Sequence, residues 1–345
     1  MIDLVTGGSG FLGSHVVNLL LQRGRRVRVL DIDPDPPTAA GVDRITGSVT
    51  DPAVVAAAMQ GVERVFHIAG NPHLWAPRKD DFTKVNLGGT RIILAEAARQ
   101  RVERLVYTST AAILFRKRDR TGSIIAPTLA DMPGAYCRSK FLAEQEALAA
   151  AEAGMPVVIV NPTLPIGPGD RHLTPPTRMI LDFINGATPA FMDCTLNMIH
   201  VEDVALGHLR AAEAGMIGQR YVLGGGTHRL VDILGLIQEI TGVPMPRLRV
   251  PYAVALIAAA IGEAAADRMS GKPPRASREG VRLTRLPINA DLGRPSVELG
   301  LTTRPLAQAL MEAIRWLVEH GHVRRPLPAL RAQETGDLEA EQPFT

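Results

Sequence analysis

Cysteine, aromatic residues and net charge are all scarce in this chain of 345 residues, and each shortage removes a class of function. The two cysteines, Cys137 and Cys194, stand far apart without metal-ligand spacing, so neither a metal centre nor a disulfide framework is expected. A reducing, cytoplasmic setting suits such a chain. A formal charge of +3 is small for this size, and a nucleic-acid binder needs a concentrated basic face, so no nucleic-acid partner is expected. The longest smooth apolar run, Val250 to Gly262, falls well short of the roughly 20 residues that cross a bilayer. Met1-Ile2-Asp3-Leu4-Val5 leads directly into a strand-like segment without the basic region, apolar stretch and cleavage site of a signal peptide, so export by that route is not expected.

What the chain has is aliphatic bulk: 46% hydrophobic residues against 21% charged, ample for one or two well-packed domains. Short β-branched or aliphatic runs at Ile2 to Val5, Arg26 to Asp31, Arg64 to Ile68, Leu105 to Ser109 and Val157 to Asn161 read as buried strands. Helical stretches separate them at Phe11 to Gln22, Ala53 to Met59, Asn86 to Gln100 and Tyr136 to Ala153. Such alternation predicts an α/β fold, a doubly wound parallel sheet of the Rossmann type, with a smaller and mostly helical C-terminal substrate lobe. The dinucleotide-binding domain is expected over 1–162, with 199–225 returning to it. The substrate lobe takes 163–198 and 226–330, and 331–345 reads as a disordered tail.

Between the first strand and the first helix stands Thr6-Gly7-Gly8-Ser9-Gly10-Phe11-Leu12-Gly13. Gly7 and Gly10 let the backbone turn tightly and approach a pyrophosphate held by helix-start N–H groups, and Gly13 lets helix and strand pack closely. Eighteen residues beyond Gly13, at the end of the second strand, Asp31 can accept the ribose hydroxyls of an adenosine and would repel a 2′-phosphate. The residues after it, Ile32-Asp33-Pro34-Asp35, supply no compensating cation. The cofactor expected is therefore NAD.

Tyr136 and Lys140 lie four residues apart, one helical turn, and so share a face. Bringing a phenol from about 10 down to neutrality corresponds to about 4 kcal/mol, which a nearby ammonium and an oxidised nicotinamide ring can supply by charge attraction. The lysine can also bind the nicotinamide ribose. A hydroxyl at the end of the strand Val106 to Thr110 should hold the substrate oxygen near the phenol; Thr110 is the first choice and Ser109 the alternative, either being able to serve as a cofactor or structural contact instead.

Taken together, Gly7 to Gly13, His67-Ile68-Ala69-Gly70, Val85 to Thr90, Ser109-Thr110, Tyr136 to Lys140, Asn161-Pro162-Thr163 and Ile199 to Val204 resemble the extended short-chain dehydrogenases/reductases over about residues 1 to 330. Pro162 to Asp170 and Thr177 to Val204 are most similar to the hopanoid-associated sugar epimerases, with dihydroflavonol-reductase-like and 3β-hydroxysteroid-dehydrogenase-like enzymes nearby. The resemblance implies that Phe11, Leu12, Ile32, Ile68, Ala69 and Gly70 lie along the cofactor. It puts Ser48 and Val49 at the adenine, Asn86 near the site as an organiser, and Pro162 and Thr163 by the nicotinamide. It also implies a homodimer built on the exposed faces of the helices at 86–100 and 136–153.

Nucleotide-sugar enzymes of this kind usually carry an arginine three residues before the Ile-His-Val segment, where this chain has Leu196-Asn197-Met198. Without that clamp the site is poorly built for a diphosphate. The segments Met132, Leu164 to Ile166, Met179 to Ile184, Phe191-Met192 and Tyr252 to Ile261 give the prospective lobe an apolar character. The reading is an oxidoreductase that interconverts a secondary alcohol and a ketone on a largely apolar molecule such as a steroid, triterpenoid or polyketide-like compound. A sugar epimerase or dehydratase with tightly held NAD is the first alternative, and a non-catalytic NAD-sensing protein the second. Between Pro246 and Arg294 basic residues outnumber acidic ones beside an apolar stretch, which is compatible with peripheral membrane contact.

Overall fold

Consecutive β-branched residues favour extended backbone, and runs of them without polar alternation are stable only when both faces of the resulting sheet are covered. The computed structural model describes residues 2–34, 41–118, 123–286 and 294–330. The predicted tail 331–345 and Asp35 lie outside them. The strands of the two larger sheets are β1 (Ile2–Thr6), β2 (Arg26–Asp31), β3 (Asp43–Thr46), β4 (Arg64–His67), β5 (Arg104–Thr108), β6 (Val157–Pro162), β7 (Leu164–Ile166), β8 (Thr195–His200), β9 (Arg220–Leu223), β10 (Thr227–Arg229) and β11 (Arg294–Pro295). Eight of them form one sheet in the order β11-β9-β6-β5-β4-β1-β2-β3, and every pairing within it is parallel.

Parallel neighbours need crossovers, and the helices that make them cover both faces of the sheet. Helices α1 (Phe11–Gln22), α2 (Pro52–Met59), α3 (Thr90–Gln100), α4 (Ala135–Glu152), α5 (Pro175–Ile184), α6 (Val201–Ala214), α7 (Leu230–Thr241), α8 (Tyr252–Ala265), α9 (Arg278–Leu283) and α10 (Leu306–Glu319) follow in order. On one face Val16, Val17 and Leu20 of α1 and Val204 and Leu209 of α6 meet Val5, Val29, Phe66 and Val160. On the other, residues of α2, α3 and α4 meet Leu4, Leu30, Leu105 and Ile159. This is the expected doubly wound arrangement, and its strand order reverses at β1 and β4, where such sheets open a crevice.

A second core gathers around the small sheet β10-β8-β7, where Ile180, Phe183 and Ile184 of α5 pack with Phe191, Met198, Ile233, Ile237, Leu310 and Ile314. The apolar residues of α5 are thus interior packing of this lobe. The stretch Tyr252 to Ile261 behaves differently, because Val254, Ile257 and Ile261 face outward from α8.

Two local details depart from the sequence reading. β3 was not anticipated, since Asp43-Arg44-Ile45-Thr46 is half charged and only the outermost edge of the sheet tolerates it. The helix expected from Asn86 begins as a wide π-type turn over Thr83–Gly89, and regular α-helix starts at Thr90. Gly89 abuts Val49 so closely that a Cβ there would lie 2.7 Å from Val49 Cγ2.

Candidate active site

The glycine turn is shaped by close approach. Gly7 sits at φ +70°, and a Cβ on it would lie 2.8 Å from the backbone of Ala69; a Cβ on Gly13 would overlap the Gly7 carbonyl oxygen. Only glycine permits these contacts, so the turn presses the ends of β1 and β4 together. Gly10 N–H donates to the Gly7 carbonyl at 3.1 Å, and α1 starts there with no side chain capping it. The Ser9 hydroxyl oxygen is buried and hydrogen-bonds to no protein atom. Phe11 is buried and meets His15 edge-on, and Leu12 is half-buried against the core.

At the end of β2, Asp31 accepts the N–H of Ser9 at 2.8 Å through one carboxylate oxygen and that of Asp33 at 3.1 Å through the other. The carboxylate thereby belongs to the rim of the glycine turn. Ile32 beside it is 73% exposed. Ser48 makes a local turn, its hydroxyl accepting Thr50 N–H at 3.1 Å, while Val49 is buried under Gly89 and contributes to the core. Ile68 and Ala69 are half-buried and Gly70 is exposed, all following β4. A cation absent from the sequence after Asp31 arrives from elsewhere: Arg171 reaches the Ser9 carbonyl at 3.3 Å and Asp33 at 3.6 Å.

Tyr136 and Lys140 occupy the first turns of α4, with Tyr136 half-buried and Lys140 buried. The Thr110 hydroxyl, just past β5, accepts Ala112 N–H at 3.2 Å and lies close enough to the Tyr136 phenol to favour its ionised form. Lys140 does not spend its charge on the phenol. Its Nζ donates to the Thr108 carbonyl at 2.6 Å and lies 4.9 Å from the Tyr107 ring centre. Burial pushes Lys140 down to about 8, partly offset by Glu144, and pushes Tyr136 above its ordinary 10.0 against the pull of Thr110. The expected lowering of the phenol is therefore absent from the protein alone: a buried ammonium found a carbonyl and a π face first. Ser109 Oγ and Thr163 Oγ1 are buried without a hydrogen-bond partner, and Pro162 ends β6 immediately before Thr163.

Asn86 does organise this region. Its carboxamide accepts Asn71 N–H at 2.7 Å and donates to Ser139 Oγ at 2.9 Å, and Ser139 in turn donates to the Tyr136 carbonyl at 2.7 Å. The loop after β4 is thus tied to α4. Sequence reasoning missed Glu279, which is buried on α9 and accepts the N–H groups of Tyr136 and Cys137. It also missed the buried Glu144, which holds Asn161 Nδ2 at 2.7 Å and Arg220 Nε at 2.6 Å, with Asn161 donating onward to the Thr110 carbonyl.

The surroundings of the phenol are apolar. Ala111, Ile113, Phe115, Met132 and Cys137 pack together with Leu283 and Leu286 against Tyr136, and Phe82 meets its ring edge-on at 6.4 Å. Where a diphosphate-gripping arginine would stand, three residues before Ile199, the chain has Leu196, packed against the second core; the next residue, Asn197, is a neutral amide donating to the Gly225 carbonyl and Thr227 Oγ1, both at 3.0 Å.

The profile of the NAD dependent epimerase/dehydratase family matches residues 4–224. A protein of Synechocystis sp. named dihydroflavonol 4-reductase is 37% identical, the match covering 93% of this chain and 95% of that one. Sterol demethylase protein B of Methylococcus capsulatus is 30% identical, over 94% of this chain and 100% of that one. Among solved structures, gox2253 superposes with a TM-score of 0.79 at 35% identity, covering 94% of this chain and 99% of the other.

Proposed function

Since the chain belongs to the NAD dependent epimerase/dehydratase family, we propose that it is an NAD-dependent oxidoreductase that interconverts a secondary alcohol and a ketone on a largely apolar substrate. The observation that carries this reading is the Tyr136 phenol, close to the Thr110 hydroxyl at the end of β5 and set among Phe82, Met132 and Leu283.

The residues present fit the dinucleotide. The glycine turn is closed to any side chain and holds a partnerless buried hydroxyl at Ser9, suited to a phosphate oxygen. Asp31 is aligned by two N–H groups on the same rim and retains lone pairs for ribose hydroxyls. Ile32, Ser48 and Val49 border the adenine end in this reading, Ile68 to Gly70 flank the middle, and Ser109, Pro162 and Thr163 serve the nicotinamide end. NAD, when bound, supplies the hydride acceptor or donor. Thr110 and Tyr136 grip the substrate oxygen, Tyr136 transfers the proton at its phenolic oxygen, and Lys140 contributes positive charge from its seat on the Thr108 carbonyl.

The apolar substrate class is supported by the packing around Tyr136 and by the apolar Leu196 where a diphosphate would require a cation. A relative whose name refers to sterol demethylation points the same way. A substrate lobe at 163–198 and 226–330 and a homodimer through the outer faces of α3 and α4 belong to the same reading; sedimentation velocity tests the latter. The decisive experiment follows NADH absorbance with a panel of steroid, triterpenoid and polyketide ketones beside nucleotide sugars. Net oxidation of NADH with an apolar ketone is expected. Rearrangement of a nucleotide sugar without net change in NADH would replace this reading with the epimerase, and silence with every compound despite tight NADH binding would favour a sensor.

A further inference from the structure

Helix α8 turns a wholly apolar face to solvent. Val254, Ile257 and Ile261, spaced three and four residues apart and so on one side, are exposed by 53, 62 and 66%. Ala253, Ala258 and Ala265 are exposed with them, and Met269, just beyond the helix, is 87% exposed. The single charged residue of α8, Glu263, is buried on the opposite side, where it accepts from Arg278 Nε at 2.5 Å and Arg278 N–H at 2.8 Å. Leaving such a stripe in water is unfavourable, and natural surfaces that do so are commonly contact surfaces.

The charges at the margins identify the contact. Arg247 and Arg249 precede α8, and Arg268, Lys272 and Arg275 follow it, all exposed. The acids nearby are engaged: Asp267 accepts from Trp75 Nε1 at 2.8 Å and Lys79 at 3.2 Å, and Asp193 faces both Arg229 and Arg249. An apolar helical face bordered by cations is the composition that settles among acyl chains while its margins meet anionic headgroups. The same cations argue against a two-fold pairing of α8 with itself, which would bring like-charged margins together.

We propose that α8 is the docking face of a peripheral membrane contact, lying in the plane of an anionic lipid surface. Among the described residues no helix is long and apolar enough to cross a membrane, so the contact is superficial. The inner side of α8 packs on α9, whose Glu279 caps the start of α4 at Tyr136. The docked surface is therefore one helix removed from the chemical centre. This inference rests on the exposed residues of α8 and its margins, so its failure and that of the proposed chemistry are separately visible.

The test is co-sedimentation of the full chain with phosphatidylcholine vesicles, with and without about a quarter phosphatidylglycerol, at low and high salt. Binding to the anionic vesicles is expected, weakening about tenfold or more at high salt because headgroup attraction is screened. The double substitution Ile257→Asp with Ile261→Asp should lose that binding while NADH affinity, a check on folding, stays unchanged. Failure of the wild type to bind either vesicle, equal binding to neutral vesicles, or undiminished binding by the double variant would each overturn the proposal. Wild-type oligomers that the double variant dissolves, without vesicle binding, would overturn it in favour of a second copy of the chain.

Discussion

Glu279 and Tyr136 are 143 residues apart in sequence yet joined at the backbone, the carboxylate accepting Tyr136 N–H at 3.1 Å with one oxygen and Cys137 N–H at 2.7 Å with the other. First-turn N–H groups of a helix have no partner within it, so α9 supplies what α4 lacks. Gly134 is required beside this contact, since a Cβ there would come within 2.7 Å of Glu279 Cγ. Glu279→Ala should leave two buried donors unsatisfied and cost about 1–3 kcal/mol for each such group, lowering the melting temperature. Because those donors set the position of Tyr136, kcat should also fall about tenfold, with Glu279→Gln intermediate because its amide oxygen restores one acceptor. Thermal unfolding and steady-state rates on the same preparations check this.

Lys140 gives the pH dependence. Burial lowers it from 10.5 to about 8, so the folded protein binds fewer protons than the unfolded chain between those values, and stability attributable to this lysine rises with pH across that window. Activity that needs the ammonium runs the other way. With an activity-dependent charge on Lys140, kcat/KM should hold below pH 8 and fall about tenfold per pH unit well above it. A pH-rate profile that stays flat to pH 10 would remove the charge of Lys140 from the mechanism.

Tyr136→Phe removes one oxygen from an otherwise apolar surrounding, and turnover should drop about a hundredfold to ten-thousandfold. NADH binding, followed by fluorescence, should be nearly unchanged. Retained turnover would exclude the phenol as the proton donor.

Asp31→Ala removes the acceptor of Ser9 N–H together with the negative charge at the rim. NADH affinity should weaken about tenfold and discrimination against NADPH should relax, the more so because Arg171 stands close by at Asp33. Titrating both cofactors against wild type and variant measures it, and a wild type that prefers NADPH would refute the assignment of Asp31.

Asp3 sits in β1 without solvent contact and binds Arg25 at 2.8 Å and Arg64 at 2.6 Å. Burial alone would raise its pKa, but the hydrogen bonds from Arg64 and Arg25 outweigh it and hold the carboxyl below the ordinary 3.8. Its stabilising contribution is therefore complete above about pH 4 and lost as pH falls through the lowered value. Asp3→Ala removes the carboxylate shared by Arg25 and Arg64 and should cost about 3–5 kcal/mol, read from denaturant unfolding at neutral pH.

The fold was readable because local patterns and tertiary demands agree along its first half. Phe11–Gln22 has the same limits in sequence and structure, and the strand runs at β1, β2 and β5 differ by at most a residue. Tyr136 and Lys140 could be paired because helical spacing is local. Partners contributed by distant segments leave no such trace: nothing near Glu279 or Arg171 marks them as neighbours of Tyr136 and Ser9, and only the small Gly134 hints that something presses on the start of α4. Nor can periodicity tell inside from outside when a helix is apolar nearly all round, as α8 is, so Ile257 looked as much like core as Ile180 on the amphipathic α5 and yet faces outward.

The two ends of the eight-stranded sheet bear on how safely this chain folds. Long parallel sheets assemble slowly, and an edge strand with open N–H and C=O groups can recruit a neighbouring chain in the meantime. Here one edge, β3, is four residues long with Asp43 paired to Arg28, and the other, β11, spans two residues of which Pro295 has no N–H to offer. Neither provides a template on which foreign strands could grow, so concentrated refolding should be limited less by sheet-to-sheet aggregation than by the apolar surface of α8.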